Sequence, residues 1–195
     1  MTVTCSYNVL GLDPSLTGFG VAATTGPGMV PCLYRLAPRT RGHERLEYLR
    51  AEVRRLAEGS DLAVIEGLSF AAKGNALLDL AGLSYLIRHE LWQMHIPYAV
   101  IAPAQLKQYM TGNGGADKIA VAMALHRKLP AAEIASPDES DALTAACMGA
   151  HWLGAPLFEP TKAQSEVLCA RWATKGKRGQ PKIAWPDMGL QPALL

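Results

Sequence analysis

The stretch VLGLDPSLTGFGVA, Val9 to Ala22, decides how this chain is read, and Asp13 is its pivot. Val9, Leu10 and Leu12 around Gly11 form a short apolar run of the kind that suits a central strand covered on both faces. The run stops at the carboxylate of Asp13. Pro14 then fixes φ and ends the ladder, and Ser15, Thr17 and Gly18 make a tight turn before Phe19, Gly20, Val21 and Ala22 resume as a second strand. Asp13 is therefore expected at the exposed tip of a core strand. An aspartate there serves equally well to open a turn; what separates the two readings is the company of other acids.

Leu62 to Glu66, LAVIE, is a second buried strand that ends in a carboxylate. Before it, Leu46, Leu49, Val53, Leu56 and Ala57 recur at helical spacing over Glu44 to Glu58, and Gly59 closes that helix. A helix in this place lets LAVIE pair parallel with the first strand, so Asp13 and Glu66 emerge side by side at one edge. The last core helix begins at Ser136, with Pro137 at its first position and Glu139 set for a capping box. Asp138, Asp141, Ala142, Ala145, Ala146, Gly149 and Leu153 share one stripe of it. Its small residues permit close approach to the sheet, which points both aspartates inward across the carboxylate-bearing edge. Taken singly, each aspartate is also explained by favourable placement at a helix N-terminus.

The intervening segments complete an α/β pattern. Gly26 to Gly28 turn the chain into a third strand, Cys32 to Leu36, giving an antiparallel meander. After the loop Gly67 to Asn75 comes a long helix, in which Leu77, Leu80, Ala81, Ser84, Ile87 and Leu91 form the stripe expected to cover the sheet. Leu78, Gly82, Tyr85 and Leu86 form a second, partly apolar surface, suited to a second subunit or to further burial within the monomer. Tyr98 to Ile101 is a fifth strand, Pro103 opens a short helix through Gln105, Lys107 and Met110, and the glycine-rich TGNGGADK, Thr111 to Lys118, leads into a helix at about Asp117.

Bulk properties narrow the class. With 195 residues, 49% of them hydrophobic, the chain can bury one α/β core with length to spare at an end. The formal charge is only +2, but residues 1–155 are close to neutral, whereas Arg171, Lys175, Lys177, Arg178 and Lys182 lie together with no acid among them. A basic extension over 156–195 on a neutral domain over 1–155 suggests a polyanionic partner, and is equally the mark of a solvated end. Cys5, Cys32, Cys147 and Cys169 are scattered without a CxxC, which argues against zinc and for a reduced, intracellular protein. MTVTCSYN lacks the basic region of a signal peptide, and no uncharged apolar run reaches membrane-spanning length. A cytoplasmic protein without a membrane partner is expected.

Four acids brought to one place by two strands and a helix would repel and raise one another's pKa. Divalent cations make the arrangement sensible, and oxygen ligands without His or Cys select Mg²⁺, with Mn²⁺ able to substitute, over zinc. Two such ions about 3.5 to 4 Å apart form a clamp for in-line attack of water on a phosphodiester.

GLDPSLTGFGVA, VIEGLSF, TGNGGADK and PDESDALTAACMGAH, in this order and at these spacings, resemble the RuvC-type Holliday-junction resolvases of the ribonuclease H-like superfamily, from about Tyr7 to His151. The resemblance implies a five-stranded mixed sheet flanked by helices, with Asp13, Glu66, Asp138 and Asp141 as the metal-binding catalytic acids. It implies a homodimer that places two active sites on opposed strands of a four-way junction, with Mg²⁺-dependent nicking that leaves 5′-phosphate and 3′-hydroxyl ends during DNA recombination and repair. It assigns Lys107 and Lys118 to the DNA backbone or the active site, where an ordinary solvated lysine is the alternative. The glycines around Gly114 would let the main chain approach phosphate, and Lys118 sits at a helix N-terminus.

Three features depart from the cellular pattern. The turn after Asp13 is shorter and carries Ser15. Phe70, near Lys73 in a loop expected to meet DNA, lies one position late for a wedge at the junction centre, and reads equally as core. Beyond Pro156, Arg171, Trp172, Lys175, Lys177, Arg178 and Trp185 interleave aromatic and basic residues in a way that suits nucleic acid, with no counterpart in the family. Other readings are a nuclease of flaps, forks and replication branches, an actin-like ATPase that would need a second phosphate-binding hairpin, and a junction binder without catalysis.

Overall fold

The computed structural model describes residues 6–68, 75–172 and 183–184. At its centre β1 (Val9–Asp13) runs antiparallel to β2 (Phe19–Thr24), with Asp13 opposite Gly20, and parallel to β4 (Leu62–Glu66), with Leu12 opposite Ile65. On one side β3 (Cys32–Leu36) completes the meander, pairing Arg35 with Gly20; on the other, β5 (Tyr98–Ile101) lies parallel to β4. These are the five expected strands. The expectation of five needs one addition: Ile183–Ala184 from the C-terminal extension pairs antiparallel with β5 as a two-residue β6, giving the order β3-β2-β1-β4-β5-β6. A two-residue strand is too short to leave a period in sequence.

Strand alternation sorts the core into two layers. Leu10, Leu12, Phe19, Val21, Ala63 and Ile65 pack on one face with α1 (Gly42–Ala57) and α2 (Asn75–Gln93). Val9, Ala22, Leu62, Val64, Ala99 and Ile101 pack on the other with α3 (Pro103–Thr111), α4 (Lys118–Lys128) and α5 (Pro137–Trp152). The stripe of α2 that covers the sheet includes Leu83, Ile87 and Leu91, whereas Leu77, Leu80 and Ala81 are only half-buried. α2 also buries Glu90, whose carboxylate accepts from Arg50 Nη1 at 2.5 Å and from Arg54, both on α1.

α5 lies in backbone contact with the sheet, as its small residues foretell. A Cβ at Gly11 would stand 1.9 Å from the Ala142 carbonyl oxygen, and one at Gly20 would stand 2.1 Å from that of Asp138. Neither glycine tolerates a side chain, because backbone cannot give way as a flexible side chain can. The start of α5 is fixed by the expected capping box: Glu139 N–H donates to Ser136 Oγ at 3.3 Å, and Ser136 N–H donates to Glu139 Oε2 at 3.0 Å. α6 (Lys162–Trp172) joins the same layer, with Leu168 buried and Ser165 Oγ 3.4 Å from His151 Nε2. Among the described residues no helix is long and apolar enough to cross a membrane.

Candidate metal centre

Alternation also decides where each acid points. Asp13 shares parity with Val9 and Gly11, and Glu66 with Leu62 and Val64, so both carboxylates leave the sheet on the face that α5 covers. Parallel pairing without stagger puts them at neighbouring strand ends. The capping box and the close seat of α5 then bring Asp141 over them. Carboxylate oxygens of Asp13, Glu66 and Asp141 all lie within 4.8 Å of one another.

Such crowding has the electrostatic consequence expected of it. Burial, and then the charges of Asp141 and Asp138, push Asp13 up to about 7. Burial, and then Asp13 and Asp141, push Glu66 up to about 9. Asp141 is raised as well, chiefly by burial, against the pull of Lys118 and Lys107. Glu66 Oε2 is buried with no hydrogen-bond partner. An orphaned carboxylate oxygen facing two further acids fits a hard divalent cation, which needs oxygen ligands and relieves the repulsion. With no His or Cys in the group, the donor set does not suit zinc.

Asp138, expected as a fourth member, stands beside this group rather than in it. Its Oδ2 accepts from Arg35 Nε at 3.2 Å, and its Oδ1 lies 3.8 Å from Lys118 Nζ. Lys118 also reaches Asp141 Oδ2 at 3.6 Å, so one ammonium spans both helix aspartates. It occupies the first turn of α4, where Asp117 caps the helix by accepting from Ala120 N–H at 2.7 Å. Lys107, half-buried on α3, is near enough to lower Glu66 and Asp141. Gly114 makes its close approach to α3: a Cβ there would meet the Ala104 carbonyl oxygen at 2.9 Å.

Phe70, Lys73, Lys175, Lys177, Arg178 and Trp185 lie outside the described residues, as do the side chains of Arg171 and Trp172. Sequence reasoning missed Arg35. Its signal was available only through the meander: once Arg35 pairs with Gly20, it shares the face that receives the acid-bearing start of α5.

Comparisons with known proteins bear on the sequence and fold of the chain as a whole. The family described as "Crossover junction endodeoxyribonuclease RuvC" matches residues 9–149. Relatives of that name include one from Gloeobacter violaceus, 32% identical over 74% of this chain and 88% of its own length. Another, from Xanthobacter autotrophicus, is 33% identical over 77% of this chain and 93% of its own. Among solved structures, that of Thermus thermophilus RuvC superposes with a TM-score of 0.61 at 19% identity, covering 79% of this chain and 99% of that one. The same protein in complex with Holliday junction substrate gives 0.59, again at 19% identity, over 72% and 90% of the two chains.

Proposed function

The chain belongs to the RuvC family of crossover junction endodeoxyribonucleases, and from this we propose that it resolves four-way DNA junctions by paired nicks, with Asp13, Glu66 and Asp141 holding Mg²⁺ at the scissile phosphate. The observation that carries the reading is the convergence of these carboxylates around the unpartnered Glu66 Oε2. When bound, divalent ions supply an activated water and steady the leaving oxygen.

The chain's own residues do the rest. The two strand ends and α5 fix the acids before DNA arrives, so little reorganisation is needed at the moment of reaction. Lys118, spanning Asp138 and Asp141 and more than half exposed, offers its ammonium to a non-bridging phosphate oxygen. Lys107 adds positive potential from α3. Phe70 and Lys73, the main chain at Gly114, and Arg171, Lys175, Lys177 and Arg178 are the remaining candidates for holding the junction arms. Their backbone contacts would make affinity fall steeply with salt.

A junction cut symmetrically needs two such sites. The outer face of α2 exposes Leu78 (69%), Tyr85 (68%) and Trp92 (57%) along one line, which supports a second copy of the chain as the partner there. Tyr85→Glu is expected to halve the mass measured by sedimentation equilibrium; an unchanged dimer would place the interface elsewhere.

The activity is tested with the full chain on a labelled four-way junction, a flap and a linear duplex at one salt concentration, with Mg²⁺ or with EDTA. Paired nicks in the junction, only with Mg²⁺ and faster than on the other two DNAs, are expected. Equal rates on flap and junction would widen the substrate class to branched DNA, and failure to cut any DNA with Mg²⁺ or Mn²⁺ would overturn the reading.

A further inference from the structure

Arg35 is the nearest cation to Asp138 and takes no part in the reading above. Three observations bear on it. First, Asp138 has both oxygens committed to cations, Oδ2 to Arg35 and Oδ1 to Lys118, whereas Glu66 keeps a buried oxygen with no partner. Second, the fold makes room for the pair. A Cβ at Gly18 would stand 2.5 Å from Arg35 Nη2 and 2.6 Å from Asp138 Oδ2, so the turn after Asp13 is open where the guanidinium and carboxylate meet. Third, the Arg35 side chain is 44% exposed, and among the described residues its guanidinium is bonded through Nε alone. The cation is seated at the mouth of the site and has a path to water.

We propose that Arg35 occupies, as a built-in monovalent counter-ion, the place at Asp138 that a second divalent ion would take, so that the DNA-free protein binds one ion at Asp13, Glu66 and Asp141 and resists a second. This rests on the metal-site reading given above. A second ion has to displace Arg35 from the carboxylate. Removing the positive charge frees Asp138 Oδ2, leaving Lys118 as its one cation.

The test is a titration of the full chain with Mn²⁺, without DNA, counting bound ions from the loss of the free-ion paramagnetic resonance signal. Wild type, R35Q, R35M and D13N are compared, with thermal melts to confirm that each is folded. Wild type is expected to bind one ion, and R35Q and R35M a second at least about tenfold more tightly than wild type does, the scale of one charge-assisted hydrogen bond removed. If folded R35Q and R35M match wild type in number and affinity of ions while D13N loses binding, the inference about Arg35 is wrong and the metal site stands. If D13N binds Mn²⁺ as wild type does, the metal-site reading itself fails.

Discussion

Two sets of carboxylates in this protein are withdrawn from water, and the fold treats them oppositely. Glu90, buried between α1 and α2, is clasped by Arg50 and Arg54. Burial alone would raise its pKa, and the two guanidinium groups more than reverse that, leaving it lowered. Asp13, Glu66 and Asp141 have one another for neighbours, and all three are raised. A chain able to neutralise a buried acid with two arginines on one face of its sheet leaves three acids under-neutralised on the other. The first arrangement is complete without a ligand. The second stores an electrostatic cost that a cation would relieve, which is why burial of charge by itself says little about function, whereas the identity of the partners says a good deal.

The widest separation between the two comes from removing one acid of each. Asp13→Asn is expected to reduce junction cleavage by about 10³-fold, the scale of losing one preorganised electrostatic group, while raising the melting temperature of the protein in EDTA because a repelling charge is gone. Cleavage assays and melts on the same preparation check both halves, and retained nicking would break the assignment. Saturating Mg²⁺ is expected to stabilise wild type by roughly 2.7 kcal/mol at a hundredfold excess over its dissociation constant and to do much less for the variant. Glu90→Gln should reverse the pattern. Loss of charge-assisted hydrogen bonds costs about 2 kcal/mol of stability, read by urea denaturation, with cleavage unchanged at a temperature where the variant stays folded. A Glu90→Gln protein as stable as wild type would mean that the clasp contributes nothing net, as some buried ion pairs do.

The two sets also differ in how far they can be read from sequence. Asp13 and Glu66 are legible because each ends an apolar run, and Asp138 and Asp141 because Ser136, Pro137 and Glu139 mark the start of a helix whose small residues predict its seat on the sheet. These are local patterns. Glu90 is not legible in this way: an acid in the last turn of α2 reads as solvent-facing, and only Arg50 and Arg54 on another helix make its burial tolerable. Ser84, Ile87 and Leu91 of the expected stripe are buried, and Leu83 joins Glu90 in widening that buried face beyond what the apolar spacing predicts. Arg35 stayed hidden because its partner lies 103 residues away. Strand propensity places it on an edge, and only the pairing of β3 with β2 turns it toward α5.

The smallest expected effect per step, and the one that uses both sets at once, is the dependence of stability on pH without metal. A carboxyl raised on folding holds a proton in the native state that the unfolded chain has lost, so its contribution is fully present below the unfolded pKa near 4 and disappears as pH rises through the folded value. For Asp13 and Glu66 that decline runs up through about 7 and on toward about 9. Glu90 has the opposite sign: its contribution is present above the unfolded value and is lost as pH falls through the lowered one. His151, lowered by burial, adds to the acid side, because the unfolded chain takes up a proton first. In EDTA the summed contribution of these groups should therefore pass through a maximum at about pH 4, with a limb toward neutrality no steeper than roughly 1.4 kcal/mol per pH unit for each proton involved. Asp13→Asn should flatten the limb between about pH 4 and 7, and Glu90→Gln the limb on the acid side of the maximum, as measured by denaturant midpoints across that range. With saturating Mg²⁺ the neutral limb should flatten, since the ion binds the deprotonated acids and competes with protons for them. A metal-free protein whose stability climbed steadily from pH 5 to 8 would show that the three acids are relieved of one another by some other means, and the contrast with Glu90 would lose its basis.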